Sequence, residues 1–400
     1  MKLKTGLLAL MALFSMFPLT GCWNYREMNE LAFALAMGID KTNRDNYLFS
    51  FQVVNAREIA GEKATGGIPV NVYSGRGKTL LEAIRKASQK VPRRINAQHM
   101  RVFVIGEKLA REGIEEVFDL IERDPEPRLT TRVFIAKNTE AVMILKNVTA
   151  VEAIPANAIL GKIKISGRVL AESYEVEVDD VIRGLITKGG GPVISGIKLV
   201  GDPEAGKKNS NVEQTDVPSD LYTSGMALFK KGKLAGWVNG AQARGVSWIN
   251  NRMKSSIINL DCDDDKDAIA IEILRSRSEI KAVIRGEKPL IRINIQEIAS
   301  VGETMCPVDL SKSAEMRKLE QQLNKETMHD VMAAVKTAQK LKTDVLGFGE
   351  AVDRANPKAW QKMEKEWDRI FPECKVEVQV ASTIRRTGMV SKSFLSKEKK

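Results

Sequence analysis

Leu31-Ala-Phe-Ala-Leu-Ala-Met-Gly-Ile-Asp40, Lys41-Thr-Asn-Arg-Asp-Asn46 and Tyr47-Leu-Phe-Ser-Phe-Gln-Val-Val54 follow one another as an apolar run, a polar turn and a second apolar run. Phe49, Phe51 and Val53 alternate with Ser50 and Gln52, the period of a strand buried on one face. The two runs read as an antiparallel hairpin. A chain whose first strands pair through so short a turn does not open as a doubly wound parallel sheet, which needs a long crossover between neighbours. Helix and strand signals then alternate. Thr79-Leu-Leu-Glu82 has the spacing of a capping box, and Leu80, Ile84, Ala87 and Val91 recur at helical intervals until Pro92. Arg101–Ile105 and Arg132–Ile135 are short strands. Ile114, Val117, Phe118 and Ile121 mark a helix face between them, and Glu140–Lys146 a further short helix. The expected class is α+β: three mixed α/β modules with mainly antiparallel sheets, the first spanning residues 22–195.

The remaining boundaries follow from composition. Residues 196–222 are rich in Gly, Asp, Asn, Ser, Lys and Pro, and read as a linker or long loop. Met226–Phe229 and Leu234–Val238 flank Lys-Lys-Gly-Lys as a hairpin. Ala268–Leu274, Glu279–Arg285 and Leu290–Ile298 complete a β-rich middle module over 223–300. In the C-terminal module, 301–390, a long helix begins at Ser313 with Met316, Leu319, Leu323, Val331 and Val335 on one stripe. Asn356-Pro357 supplies an N-cap and an N1 proline for a helix bearing Trp360 and Trp367, whose pairing reads as core packing. Lys375–Val380 is a last alternating strand, and residues 391–400 form a basic tail.

Ahead of the hairpin lies an address. Lys2 and Lys4 precede an almost wholly apolar run from Gly6 to Leu19, too short to cross a bilayer and interrupted by Pro18. It ends in Leu19-Thr-Gly-Cys22, which resembles the bacterial lipobox. That resemblance implies a signal peptide over 1–21, cleavage between Gly21 and Cys22, and an S-diacylglycerol on Cys22, with an N-acyl group where one is added. Two acyl chains anchor durably where one binds reversibly.

Composition excludes whole classes. Over 400 residues, 43% are hydrophobic and 28% charged, an ordinary globular balance and not that of a disordered or polytopic membrane chain. The formal net charge is +11, which suits attraction to an anionic bilayer. With aromatics at only 6% there is no stacking platform for single-stranded nucleic acid, and none is expected as a partner.

Motifs that would carry chemistry fail on inspection. Gly77-Lys78-Thr79 opens a helix, but Val72 stands where a phosphate loop requires its first glycine. Asp261, Asp263, Asp265, Asp267 and Glu272 have the spacing of a calcium loop, yet Lys266 replaces the turn glycine, so a solvated acidic turn is expected. Cys262, Cys306 and Cys374 share no metal-binding spacing. One disulfide among them is compatible with export, and spacing selects no pair. His99 and His329 are the only histidines, one expected to be structural and the other to face solvent. No catalytic, cofactor-binding or metal-binding residue is assigned, and the chain is read as not an enzyme.

A series of anchors, taken in order, carries a family resemblance. It runs from Cys22-Trp-Asn-Tyr-Arg-Glu-Met-Asn-Glu-Leu31 through Asp40, Ser74-Gly75-x-Gly77-x-Thr79-x-x-Glu82-Ala83 and Gly225-Met-Ala-Leu-Phe-Lys230 with Leu234-x-Gly236. It continues with Asp344-x-x-Gly347-Phe-Gly349, Pro357-x-x-Trp360, Trp367, Phe371 and Ile384-Arg385-x-x-Gly388. This pattern resembles the C-subunit family of bacterial spore germinant receptors, the Ger(x)C lipoproteins. The resemblance implies three mixed domains and a lipid-anchored subunit on the outer face of the spore inner membrane. It also implies assembly with A and B subunits in a nutrient-triggered germination response. It implies no cofactor and supplies no germinant-binding residue. The alternative weighed is a solute-binding lipoprotein that delivers a small ligand to a transporter.

Overall fold

The computed structural model describes Gly6 and residues 27–43, 46–59, 67–124, 126–285 and 288–385. Apart from Gly6, the leader 1–21 lies outside the described residues, as do Cys22, Gly388 and the tail 391–400. Among the described residues, thirteen strands form two sheets. The first takes β1 (Leu31–Lys41), β2 (Tyr47–Val54), β3 (Val70–Gly77), β4 (Arg94–Asn96), β5 (Val102–Gly106), β6 (Arg132–Ala136), β7 (Val193–Gly201), β8 (Ser219–Lys230) and β9 (Lys233–Val238). Its order is β3-β2-β1-β5-β6-β7-β8-β9, with β4 beside the start of β1.

The opening hairpin forms as its pattern predicts, with Phe51 opposite Met37 and Phe49 opposite Ile39. The centre of the sheet, β1-β5-β6-β7, is parallel. Such strands are buried on both faces, which is why β5 (Val-Phe-Val-Ile-Gly) is apolar throughout and does not alternate. On one face Phe103, Ile105 and Val133 pack against the helices Leu80–Ser88, Glu107–Glu112, Glu115–Arg123 and Val178–Ile186. On the other, Val102, Val104 and Phe134 pack against the helices Ala141–Lys146 and Pro155–Val169. Antiparallel pairs flank this centre, so the α+β class with mainly antiparallel pairing holds for the molecule.

The second sheet is β10 (Ser256–Cys262), β11 (Asp265–Arg285), β12 (Lys288–Thr304) and β13 (Lys375–Arg385), in that order. The last pair is parallel. A parallel neighbour demands a crossover, and the helices Ser313–Lys340, Phe348–Ala355 and Pro357–Met363 supply it. Ile271, Ile273, Ile291, Ile293 and Ile295 pack against Leu319, Leu323, Val331 and Val335 of the long helix and Trp248 of the helix Gly240–Ile249.

Sheet membership departs from the expected segmentation in three places. The stretch 196–222 begins in β7 and ends in β8, which pair antiparallel, so the irregular connection is 202–218. The hairpin of Met226–Phe229 with Leu234–Val238 forms as read, but it extends the first sheet through β7. Ala268–Leu274 and Glu279–Arg285 are parts of one strand, because the polar run Arg275-Ser-Arg-Ser278 stays paired with β12 while register shifts absorb the change of face.

Cys262 and Cys306 form a disulfide that closes a separation of 44 residues around β11 and β12. Cys374 is free and buried, and burial pushes its thiol up to about 12. Replacing both Cys262 and Cys306 by Ser should cost about 2–4 kcal/mol of stability, read by denaturant unfolding. Native protein should leave Cys374 unlabelled by maleimide until it unfolds, and rapid labelling in the folded state would contradict its packing.

Candidate functional site

Several of the described residues that carry the family resemblance do structural work. Asp40 closes β1 with its side chain 3% exposed, and its carboxylate accepts the Ala141 and Val142 backbone N–H groups at 2.7 and 3.0 Å. It thereby caps a helix from a strand a hundred residues earlier. Burial dominates over those bonds and raises its pKa to about 6. Gly75 and Gly77 let β3 lie directly on the helix Leu80–Ser88, since a Cβ on either would come within 2.5 Å of that helix's backbone. Thr79 caps that helix as its spacing predicts, with Oγ1 accepting the Glu82 N–H at 3.2 Å. Gly77-Lys78-Thr79 is therefore a helix entrance, not a phosphate loop.

Asp344 has a larger role. Its carboxylate, 4% exposed, accepts the N–H groups of Phe348 at 3.0 Å and Gly349 at 2.6 Å and the indole N–H of Trp367 at 2.9 Å. Gly347 makes this possible by turning through a left-handed conformation, φ 75°, just before the helix Phe348–Ala355. Trp360 and Trp367 meet edge to face at 5.1 Å, with Phe348 and Phe371 beside them. This is the core packing expected of the tryptophan pair. The same segment touches the first sheet: Asp344 bridges Gly190, and the Thr343 hydroxyl donates to the Phe229 carbonyl.

Two further buried carboxylates went unread in the sequence. Glu297, 2% exposed, accepts from the Trp248 indole at 3.1 Å, Thr327 Oγ1 at 2.9 Å and Ser382 Oγ at 2.6 Å. Asp330 accepts from Arg244 Nε at 2.8 Å. Burial raises the pKa of both, and of Asp344. Glu297 is held by three donors and Asp330 by the Arg244 guanidinium, arrangements that let a carboxylate stay inside a fold. The alternation of β12 places Glu297 on the inward face, the one signal that marked it.

The other candidate residues are scattered. His99 is exposed and stacks edge-on against Phe33 at 5.8 Å. His329 is exposed and lies 3.7 Å from Asp330. Asp263 and Asp264 form the β10–β11 turn, where Asp261 accepts the Asp267 N–H at 3.0 Å, as a solvated acidic turn would. Among the described residues no group of three or more His, Cys, Asp or Glu side chains converges to hold a metal ion.

Two surfaces lie near the junction of the sheets. A cleft of about 640 Å³ opens where the sheets meet. Within it the Arg252 guanidinium lies 5.6 Å from the Tyr174 ring and 3.4 Å from Asp180, and Asn250 donates to the Tyr174 hydroxyl. Neither histidine nor any cysteine lines it. The second surface is apolar. Ile165, Val169 and Leu170 at the end of the helix Pro155–Val169 are exposed, as is Ile257 on β10, which is tied to that end by a Ser256 hydroxyl bond to the Leu170 carbonyl. Among the described residues no helix is long and apolar enough to cross a membrane.

Comparison with known proteins matches this arrangement. A profile described as "Spore germination protein N-terminal domain" matches residues 24–199, and one described as "Spore germination B3/GerAC like, C-terminal" matches 224–388. Spore germination protein KC of Bacillus subtilis (strain 168) is 34% identical over 390 residues, covering 96% of both chains. Spore germination protein B3 of the same organism is 26% identical, covering 95% of this chain and 97% of its own. The crystal structure of the GerBC protein shares the fold, with a TM-score of 0.55 at 22% identity over 87% of this chain and 96% of that one.

Asp344→Ala strands three buried donors and should cost on the order of 3–5 kcal/mol, measured by denaturant unfolding; a loss below about 1 kcal/mol would show that the carboxylate is not structural. Asp40 gives a pH signature. Its folded pKa of about 6 lies above the 3.8 of the free side chain, so its contribution is fully present below pH 3.8 and is lost as pH rises through 6. Stability of wild type relative to Asp40→Asn should therefore fall between pH 4 and pH 7 by about 3 kcal/mol, and a pH-independent difference would refute the assignment.

Proposed function

The chain belongs to the GerAC-like family of spore germination proteins, and on that premise we propose that it is the lipid-anchored C subunit of a nutrient germinant receptor. The observation that carries the reading is the extent of the likeness. Family matches over 24–199 and 224–388 take in both sheets, and the relative KC aligns over 96% of the chain. In this reading residues 1–21 are removed, Cys22 becomes the lipid-bearing amino terminus, and the body stands on the outer face of the spore inner membrane. The Leu19-Thr-Gly-Cys22 sequence supports this.

The subunit acts through contact, not catalysis. The buried carboxylates are engaged by structural donors, and the apolar strip of Ile165, Val169, Leu170 and Ile257 offers a face for the A and B subunits. Exposed clustered apolar side chains of this kind are the usual mark of an interaction surface.

Mass measurement of the mature protein should give a chain beginning at Cys22 with a thioether-linked diacylglyceryl group. Detergent-phase partitioning should recover wild type in the detergent phase and Cys22→Ala in the aqueous phase. An unmodified residue 22 in membrane-bound protein would refute the anchor. Affinity purification of the intact lipoprotein from spore membranes should recover the integral-membrane partners, and recovery of the subunit alone would refute the receptor assembly.

A further inference from the structure

The first sheet carries a cationic pocket of about 770 Å³ at the leading ends of β5 and β6. The parallel register builds it: Arg101 donates its backbone N–H to Leu35 of β1, Arg132 donates its own to the Arg101 carbonyl, and both side chains line the cavity. Arg128 reaches it from the loop before β6, and Lys164 from the helix Pro155–Val169. Arg132 is neutralised by Glu175 at 3.6 Å and Glu177 at 3.0 Å. Among the described residues Arg101, Arg128 and Lys164 have no ion-pair partner. Arg101 donates to Asn157 Oδ1 at 2.7 Å. The lining also includes His99 and Glu152, and Glu152 is the one carboxylate there without an ion-pair partner. Three uncompensated cations against one such carboxylate make a cavity that favours an anion. Gly161 in its helical wall leaves the space open, with nothing within 4 Å of where a Cβ would stand.

The position of the pocket selects the anion. The chain enters the first sheet at the same end, with Leu31 opposite Arg94 and the pocket's His99 against Phe33. Five residue steps lead from Cys22 to Glu27, a span of at most about 18 Å, whereas β1 runs roughly 33 Å away from that end. A lipid on Cys22 thus holds the pocket's end of the sheet toward the bilayer. Leu129 and Val151, adjoining the pocket residues Arg128 and Glu152, are 48% and 99% exposed, placed to meet the boundary between headgroups and acyl chains.

We propose that the pocket formed by Arg101, Arg128 and Lys164 binds the phosphate group of an anionic phospholipid. It would be a second membrane contact that fixes the orientation of the tethered body. The proposal rests on the lipid anchor at Cys22. Guanidinium and ammonium groups supply charge-assisted donors to phosphate oxygens, and juxtamembrane cations are drawn to an anionic leaflet.

The test is hydrogen exchange on the full lipoprotein reconstituted in phosphatidylglycerol or phosphatidylcholine vesicles, with flotation of the same samples. Peptides covering 98–101, 128–132 and 157–164 should exchange more slowly on phosphatidylglycerol alone. That slowing should vanish in Arg101→Gln/Arg128→Gln/Lys164→Gln. It should vanish also in Gly161→Trp, which fills the pocket without altering charge, and persist in a control lacking Lys254, Lys266 and Lys312. Matching circular dichroism would show that each variant is folded. Equal slowing by inorganic phosphate on phosphatidylcholine vesicles would overturn the lipid assignment, as would slowing that appears only when partner proteins are present. Failure to float refutes the anchor and this placement with it. Flotation without slowing refutes the pocket alone.

Discussion

A carboxylate removed from water fixes the relation between the two sheets. Asp344 sits where the helix Phe348–Ala355 begins, and its oxygens hold two backbone amides and the Trp367 indole. Its own backbone bridges Gly190, while the adjacent Thr343 bonds the Phe229 carbonyl. Burying an ionisable group is unfavourable unless its hydrogen bonds are replaced, so the site tolerates one geometry. Everything that must be correct for those bonds to form, the left-handed turn at Gly347, the docking of Trp367 and the approach of the Gly189–Gly191 segment, is correct together or not at all. A Cβ at Gly189 would come within 2.3 Å of the Trp367 ring, and one at Gly191 within 2.0 Å of the Phe229 carbonyl oxygen. The joint is closed by contact as well as by charge.

That constraint accounts for the structural work done by the described residues behind the family resemblance. Asp40, Gly75, Gly77, Asp344, Gly347, Trp360 and Trp367 each solve a packing or capping problem that no other side chain solves at the same place. Asp40 links β1 to a helix a hundred residues later, and Glu297 links β12, the long helix, β13 and the Gly240–Ile249 helix through Thr327, Ser382 and Trp248. Long-range polar bonds of this sort specify one arrangement of elements among several that would bury similar apolar area. In the proposed receptor role, a subunit that works by presenting a shape needs that uniqueness more than it needs a reactive group.

The fold was legible where local signals and burial agree. The β1–β2 hairpin, the capped helix after Thr79, the β8–β9 hairpin and the long helix from Ser313 all follow from period and punctuation. Less visible were elements whose cues are weak or borrowed. The helix Val178–Ile186 is capped by Glu177 with Asp180 answering, an uncommon choice at that position. The helix Gly240–Ile249 opens on glycine with no side-chain cap. The parallel centre of the first sheet was hidden because its register is set across crossovers, which leave no local trace, and the same holds for β13 beside β12. The acidic turn and the tryptophan pair read correctly because a lysine within a would-be cation cage, and apolar residues at helical spacing, have the same meaning in any fold. Pairing of Cys262 with Cys306 required the three-dimensional approach of β10 to the end of β12, which spacing does not encode.

In the proposed lipid-anchored arrangement, the tethered body has an orientation problem that the joint makes sharper. One lipid site fixes a point, leaving the molecule free to rotate about it and to tilt, and a flexible protein could satisfy each partner separately. Here the second sheet is bound to the first by buried bonds, so any tilt of the first is carried to the second. The apolar strip joins Leu170, at the end of a helix on the first sheet, to Ile257 on the second sheet. For such a body, orientation at the membrane is not a detail of attachment: it determines whether that strip faces a partner in the bilayer, the neighbouring soluble surface or bulk water. The proposed second point of contact near the leading end of β1 would remove most of the tilt at little cost in conformational entropy, because the body is already rigid. The stiffness secured by Asp344 and the position of the chain's first strand thus act on the same quantity, the fraction of time in which the exposed apolar surface is correctly presented.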